Sequence, residues 1–274
     1  MDKKPTISVI IPTYNRLFSL GELLEALSRQ TFSDFEVIIV NDAGVSISVL
    51  KHLYDELNIT IINLPENKNH VYARNVGIEK ALGTYIMLID DDDIILPSHM
   101  EKMLSQMQDY DLVYSDVEII NYEVKGNVRY VKSRRLFAYQ YDLKAMRTFS
   151  TFVPSGCLYK KAIHQTTGNF DLEVKNYWDW DFFLRVANTY RIQRSPYASV
   201  LYEFSDTGNN ASKNLQAMRT YLNRLSEKHA LGELPTKNFF LLLEELEMKK
   251  REAASHLLWD GQPIVSRLIE KNIN

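Results

Sequence analysis

Four consecutive aspartates, Asp90 to Asp93, follow directly on an apolar run, Tyr85-Ile86-Met87-Leu88-Ile89. Carboxylates spaced i, i+2 where a strand ends and the chain turns can reach one hard divalent cation. Mg²⁺ and Mn²⁺ take oxygen ligands and commonly share themselves with substrate phosphates. Such a cation would also offset the mutual repulsion of the four charges. The competing reading is a solvated acidic loop in which Asp92 or Asp93 only helps a turn, and the apolar run in front weakens it. Three other polar groups have chemistry that fits beside this one. Pro12-Thr13-Tyr14-Asn15-Arg16 offers a hydroxyl, a ring and an amide to a base or ribose, against the plainer alternative of a turn with a half-buried tyrosine. Asp42 closes a second apolar run, as aspartates often do. Arg74-Asn75 is a cation and an amide able to meet phosphate or balance the aspartates, or else ordinary surface.

The elements that carry these residues explain why they would meet. Residues 6–11 read as a buried strand closed by Pro12, and helical spacing follows at Leu20, Leu23, Leu24 and Leu27, with Ser19 and Glu22 placed for a capping box. Residues 35–40 give a second strand, 49–57 a helical stretch, 59–64 a third strand, 71–82 a helix stopped by Gly83, and 85–89 a fourth strand. A helix starting at Pro97-Ser98 puts Met100, Met103, Leu104 and Met107 on one face. Strands that alternate with helices and are apolar throughout belong to a parallel sheet covered on both faces. Ligands of such sheets bind beyond the carboxyl ends of the strands. Residues 13–16, Asp42 and the aspartate run all fall there.

The second half reads differently. Residues 111–132 form strands about a turn at Lys125-Gly126-Asn127, 133–153 have no clear period, and 152–159 hold a strand. Residues 178–190 form a helix with Trp180, Phe183, Leu184 and Ala187 inward, and 199–204 a short strand. Two further helices follow from the spacing of Leu215, Met218, Leu222 and Leu225, then of Phe240, Leu243 and Leu246.

Composition narrows the function classes. With 32 basic and 35 acidic side chains, a net charge of -3 and no strongly basic half, the 274-residue chain is not built as a nucleic-acid binder. The single cysteine, Cys157, cannot form an internal disulfide and points to a reducing compartment. Set in Ser155-Gly156-Cys157-Leu158-Tyr159, it reads as a small core residue rather than a nucleophile. The apolar run before Pro12 is too short for a signal peptide, and no run approaches the roughly 20 residues of a membrane span. The expectation is a soluble cytoplasmic protein, with contact at the inner face of the membrane left open. Lys132, Arg134 and Arg135, read as a basic loop, and Lys249, Lys250 and Arg251 are solvated faces by default, able to touch an anionic acceptor or a membrane.

The segments SVIIPTYNR (8–16), FEVIIVNDAG (35–44) and NHVYARNVGIEKALGTYIMLIDDDDIILP (69–97), in that order, closely resemble the family-2 glycosyltransferases, with weaker matches at GNFD (168–171) and DWDFFLR (179–185). The resemblance spans about three quarters of the chain. It implies the α/β GT-A fold, a Rossmann-like, mostly parallel central sheet with helices on both faces, followed here by a C-terminal helical extension. The glycosyltransferase domain would be residues 1–211, with a nucleotide-binding half 1–110 and an acceptor-binding half 111–211, and the extension 212–274. The implied activity is inverting, metal-dependent transfer of a sugar from a nucleotide diphosphate donor, commonly UDP-linked. The acceptor would be a hydroxyl on a glycan, a lipid-linked or another molecule, in glycan or polysaccharide biosynthesis. By the resemblance, Pro12, Thr13 and Tyr14 line the nucleoside pocket with Asn15 beside them. Asp42 hydrogen-bonds the base, commonly uracil, and Arg74 lies near the diphosphate. Asp90-Asp91-Asp92 stands for the family's Asp-x-Asp pattern, with Asp90 and Asp91 toward the donor and Asp92 on Mn²⁺ or Mg²⁺. Asp179 is the catalytic base.

Two positions depart from the pattern. The family's catalytic helix usually begins Glu-Asp and here begins Trp178-Asp179, so Trp178 is expected to wall a sugar ring. Asp179 is preferred to Asp181 because Asp181 and Arg185 are spaced for an i, i+4 ion pair. The histidine that many relatives carry after the last strand is missing from YEFSDTGNNAS (202–212), where Asp206 or water is left to complete a metal shell. Two other classes compete. A metal-dependent nucleotidyltransferase usually has a Gly-rich loop after strand one, which residues 12–16 lack; a non-catalytic nucleotide-sugar-binding module would have no use for Asp179. A homodimer through the C-terminal helices stays open, as do the sugar and the acceptor.

Overall fold

The structure, a computed structural model, describes residues 3–204, 215–236 and 239–271. Strands β1 (Ile7–Thr13), β2 (Phe35–Asn41), β3 (Ile59–Asn63) and β4 (Tyr85–Leu88) form a parallel block in the order β3-β2-β1-β4. β1 and β2 are buried at every residue, which is why they read as unbroken apolar runs. β1 does not close at Pro12 but runs to Thr13, opposite Asn41. Its other neighbour, β4, pairs only over Ile7 to Ile10, so at Pro12 that side has no ladder to miss an N–H.

Helices α1 (Leu17–Ser28), α2 (Ser48–Leu53) and α3 (His70–Lys80) connect these strands. α1 starts at Leu17, ahead of the expected capping box. Ser19 bonds the carbonyl of Arg16 at 3.3 Å and Glu22 is taken by Arg129, so no box forms. Tertiary burial decides this helix: α1 buries Leu20, Leu23, Leu24 and Leu27, each contributing about 1.5–3 kcal/mol, more than a cap supplies. They pack with Val9 and Ile11 of β1 on one face of the sheet, while Ile10 faces the opposite layer with Val71 and Ile78 of α3.

The second half adds β5 (Ile94–Ile95), α4 (His99–Ser105), β6 (Leu112–Lys125), β7 (Val128–Phe137), α5 (Leu143–Met146), β8 (Cys157–Lys160), α6 (Ile163–Thr167), α7 (Trp178–Ala187) and β9 (Ile192–Glu203). β8 lies antiparallel between β4 and β6, and β9 continues the sheet parallel to β6. The expected turn forms at Gly126, whose φ of 63° suits glycine. β7 runs on to Phe137, so Lys132, Arg134 and Arg135 lie on a strand rather than a loop. Arg134 pairs with Glu118 and Arg135 with Glu244. Cys157 is buried.

The remaining chain supplies α8 (Leu215–His229), α9 (Phe239–Leu243), α10 (Leu246–Lys249), β10 (His256–Leu257) and α11 (Arg267–Lys271). The spacing of Phe240, Leu243 and Leu246 thus spans two short helices, not one. β10 extends the sheet beside β9, and α11 returns to the first half. There Arg267 pairs with Glu25 and Glu56, and Ser266 sits against Gly21, where a Cβ would lie 2.4 Å from its Oγ. Among the described residues no helix is long and apolar enough to cross a membrane.

Candidate active site

The loops after β1 and β2 are stitched together before they meet anything else. Asn15, at φ 57°, accepts the Val45 N–H on Oδ1 at 2.9 Å, and the Asp42 N–H donates to the Thr13 carbonyl at 2.9 Å. Asp42 is buried and accepts the Lys68 N–H on Oδ1 at 2.7 Å. Pro12 and Thr13 are buried, and the Thr13 hydroxyl donates to Asp91 Oδ2 at 2.7 Å. Tyr14, 49% exposed, presents the open ring of this segment.

Each carboxylate of the aspartate run has its own partner. Asp90 accepts from Arg74 Nη2, and Asp92 from Arg16 Nη1, which also lies 3.6 Å from Asp91. Asp93, fully buried, accepts from the Ser155 hydroxyl and from the Glu203 N–H at 2.9 Å. Two arginines and buried donors therefore already offset the repulsion that the sequence alone assigned to a cation. The loop remains acidic in character but tight in charge. Burial, then the charge of Asp92, raises the Asp91 carboxyl to about 7, with Arg16 pulling the other way. Burial likewise drives Asp93 well above the usual carboxylate range. Oxygens of Asp90, Asp92 and Asp93 lie within 4.8 Å of one another, a set of hard donors that fits Mn²⁺ or Mg²⁺. Asp90 and Asp92 stay partly open, whereas Asp93 is sealed in and anchors the turn.

Arg74 is the floor of the site. It is 2% exposed, stacks on Trp178 with Cζ 4.2 Å from the ring centroid, and donates to His70 Nδ1 at 2.7 Å. Burial, then the neighbouring Arg74 charge, pushes His70 down to about 3, so its ring is neutral and can accept that bond. Trp178 does not wall an open sugar site: it is 5% exposed, covered by Arg74 on its face and by Phe170 at 4.8 Å. A tryptophan stands where a glutamate was expected because its ring packs beneath a buried guanidinium. The Asn75 amide is also spoken for, exchanging two 2.9 Å bonds with the Phe170 backbone and so tying the 168–171 segment to α3.

Asp179 lies in the first turn of α7, partly buried, within electrostatic reach of Arg74 and Asp90. Burial raises it to about 6, against backbone N–H groups and the Arg74 charge. Asp181 has the opposite fate. Burial works against its charge, but His229, Arg185 and Lys228, each at 2.8 Å, hold it down at about 2. Its carboxylate is a clamp between α7 and α8.

Three residues of the site escaped the sequence reading. Ser155 and Glu203 hold Asp93, and Arg129 of β7 donates to Glu22 and Glu203 at 2.5 Å and to the Asp92 carbonyl at 2.7 Å. Glu203 lies inside the 202–212 segment, where only Asp206 or water was expected to stand in for the histidine; Asp206 lies outside the described residues.

The family model for glycosyl transferase family 2 matches residues 8–168. A Bacillus subtilis (strain 168) protein described as an uncharacterized glycosyltransferase, YwdF, is 57% identical over 263 residues, 96% of this chain and 98% of its own. A putative colanic acid biosynthesis glycosyl transferase of Escherichia coli (strain K12), WcaA, is 30% identical over 203 residues, 69% of each chain. Among solved structures, Staphylococcus aureus TarS 1-349 in complex with UDP-GlcNAc aligns with a TM-score of 0.61 at 20% identity, over 89% of this chain and 77% of that one. The mannosyltransferase PcManGT from Pyrobaculum calidifontis, in complex with GDP-Man and Mn²⁺, aligns with a TM-score of 0.56 at 14% identity, over 91% and 83%. These two likenesses speak for the fold, the mostly parallel GT-A sheet with helices on both faces. The ordered motifs, the match over residues 8–168 and the 57% identical relative together place the chain in glycosyl transferase family 2.

Proposed function

We propose that the protein moves a sugar from a UDP-linked donor to an acceptor hydroxyl, with inversion and with Mn²⁺ or Mg²⁺ as cofactor. The observation that carries this reading is the convergence of Asp42, the aspartate run and Asp179 beyond the carboxyl ends of β1, β2 and β4. In this reading Tyr14 stacks on the base and Asp42 takes the uracil imide N–H on the oxygen that Lys68 does not use. Asp90 and Asp92 hold the cation, which supplies Lewis-acid stabilisation of the departing diphosphate. Arg74 fixes Asp90, and Asp93 fixes the loop. Asp179 takes the proton of the acceptor hydroxyl as it attacks the anomeric carbon, in one displacement without a covalent intermediate. Residues 1–110 thus hold the nucleotide and 111–211 the acceptor. The UDP and UDP-GlcNAc complexes of TarS support a UDP donor, and the description of WcaA as a putative colanic acid biosynthesis glycosyl transferase supports a role in polysaccharide biosynthesis.

Incubation with UDP-sugars and Mn²⁺ is expected to release UDP by slow hydrolysis. Pyrophosphate from a nucleoside triphosphate and a sugar phosphate would instead mark a nucleotidyltransferase, and no release a binding module. Base choice has its own check. Asp42→Ala should cut the preference for UDP over CDP and GDP by about tenfold, the worth of one good hydrogen bond to a charged group; wild-type ratios in calorimetric titrations would remove Asp42 from base recognition.

A further inference from the structure

Arg16 ends the loop after β1 and stands at the N-cap of α1. Its guanidinium crosses to the aspartate run, bonding Asp92 and lying 3.6 Å from Asp91, with Glu203 as a further negative neighbour. The Arg16 side chain is 36% exposed and that of Asp92 19%, so the arginine is on the solvent side of the pair. The backbone beneath is fixed, because Arg129 holds the Asp92 carbonyl. Arg74 is buried and directs its Nη1 to His70 and its Nη2 to Asp90 rather than to Asp91 or Asp92. The pair thus joins a pinned carboxylate to a cation on a flexible, half-open stem.

We infer that Arg16 is an exchangeable counter-ion: it neutralises Asp91 and Asp92 before the donor arrives, then passes to the donor diphosphate when a divalent cation takes Asp92. This rests on the reading of Asp92 as a cation ligand. A divalent cation on Asp92 brings a second positive charge against the Arg16 guanidinium at the same carboxylate, and a cation arriving alone repels Arg16 from it without replacing its partner. A cation arriving with a diphosphate brings new anionic oxygens, which a planar guanidinium matches with paired hydrogen bonds. Cation and nucleotide therefore bind with positive coupling, each easing the entry of the other.

The test uses the full chain and the variants Arg16→Gln and Arg16→Lys. Mn²⁺ is titrated without nucleotide by loss of the free-ion EPR signal, then UDP is titrated calorimetrically at saturating Mn²⁺. Arg16→Gln is expected to bind Mn²⁺ alone about tenfold more tightly and UDP about tenfold more weakly, the scale of one charge-assisted hydrogen bond. Arg16→Lys, which keeps the charge but loses the planar match, is expected to fall between and carries the test if the Gln variant does not fold. Opposite signs are the diagnostic, since damage to the fold alone would weaken both. Mn²⁺ affinity that is unchanged or weaker in the variants, while the wild type binds Mn²⁺ with UDP, overturns the counter-ion and leaves the metal reading standing. Tighter Mn²⁺ with unchanged UDP overturns the transfer to diphosphate. Absence of Mn²⁺ binding in all three proteins, with and without UDP, overturns both readings.

Discussion

Asp179→Asn is expected to lower transfer to the acceptor by about 10²- to 10⁴-fold while Mn²⁺–UDP binding stays near wild type. The amide keeps the shape of the carboxylate at the start of α7 and removes its basicity. Asp181 cannot take over, because Arg185, Lys228 and His229 hold its carboxylate inside the protein. The same assignment fixes a pH dependence. Burial, resisted by backbone N–H groups and Arg74, raises Asp179 to about 6. A base works in its ionised form, so wild-type kcat/KM holds above that pH and falls about tenfold per unit below it. The Asn variant should lack this acidic limb. Transfer at the wild-type rate, or an acidic limb that persists in the variant, would take the base role away from Asp179.

Asp92→Asn and Asp93→Asn should separate two adjacent carboxylates by what they lose. The first is expected to weaken Mn²⁺-dependent UDP binding by about 100-fold, at the upper end of what even outer-shell changes do to metal sites. The second should leave that affinity near wild type and cost about 1–3 kcal/mol of stability, because a fully buried acceptor of the Ser155 hydroxyl and the Glu203 N–H is replaced by a group that can satisfy only one of them as acceptor. Calorimetric titration and thermal unfolding of both variants read these out. Equal UDP affinities for Asp92→Asn and wild type would dismiss the metal assignment.

The parts of the molecule that were legible in the sequence share a physical reason. β1 and β2 are covered on both faces, so burial writes itself into every residue, and the alternation of such strands with helices places residues 13–16, Asp42 and Asp90 to Asp93 at one edge. The i, i+4 spacing of Asp181 and Arg185 is local, and the pair is there at 2.8 Å. What stayed hidden depends on contacts between distant segments. Nothing near Arg16 announces that it reaches Asp92, 76 residues away, or that Arg129 bonds the Asp92 carbonyl from a hairpin 37 residues on. Trp178 could be read only against its sequence neighbours and the family pattern, and its true neighbour, Arg74, comes from α3. The capping box at Ser19 failed for a related reason: the signal was local, while Arg129 claimed Glu22 from the other half of the chain. β10 and α11, two and five residues long, have too few residues to show a period.

The return of α11 to the first half has a meaning in time as well as in space. Arg267 bonds Glu25 across 242 residues of chain, and Ser266 meets the Tyr54 hydroxyl at 3.2 Å and fills the space left by Gly21. On a ribosome adding about 5 to 20 residues per second, the segment that covers α1 and α2 is made on the order of ten to fifty seconds after them. During that interval the flank that α11 covers, Glu25 and Tyr54 included, is exposed to water and to other nascent chains. Residues 17–53 are thus synthesised early relative to the segment that covers them and are among the last to be finished.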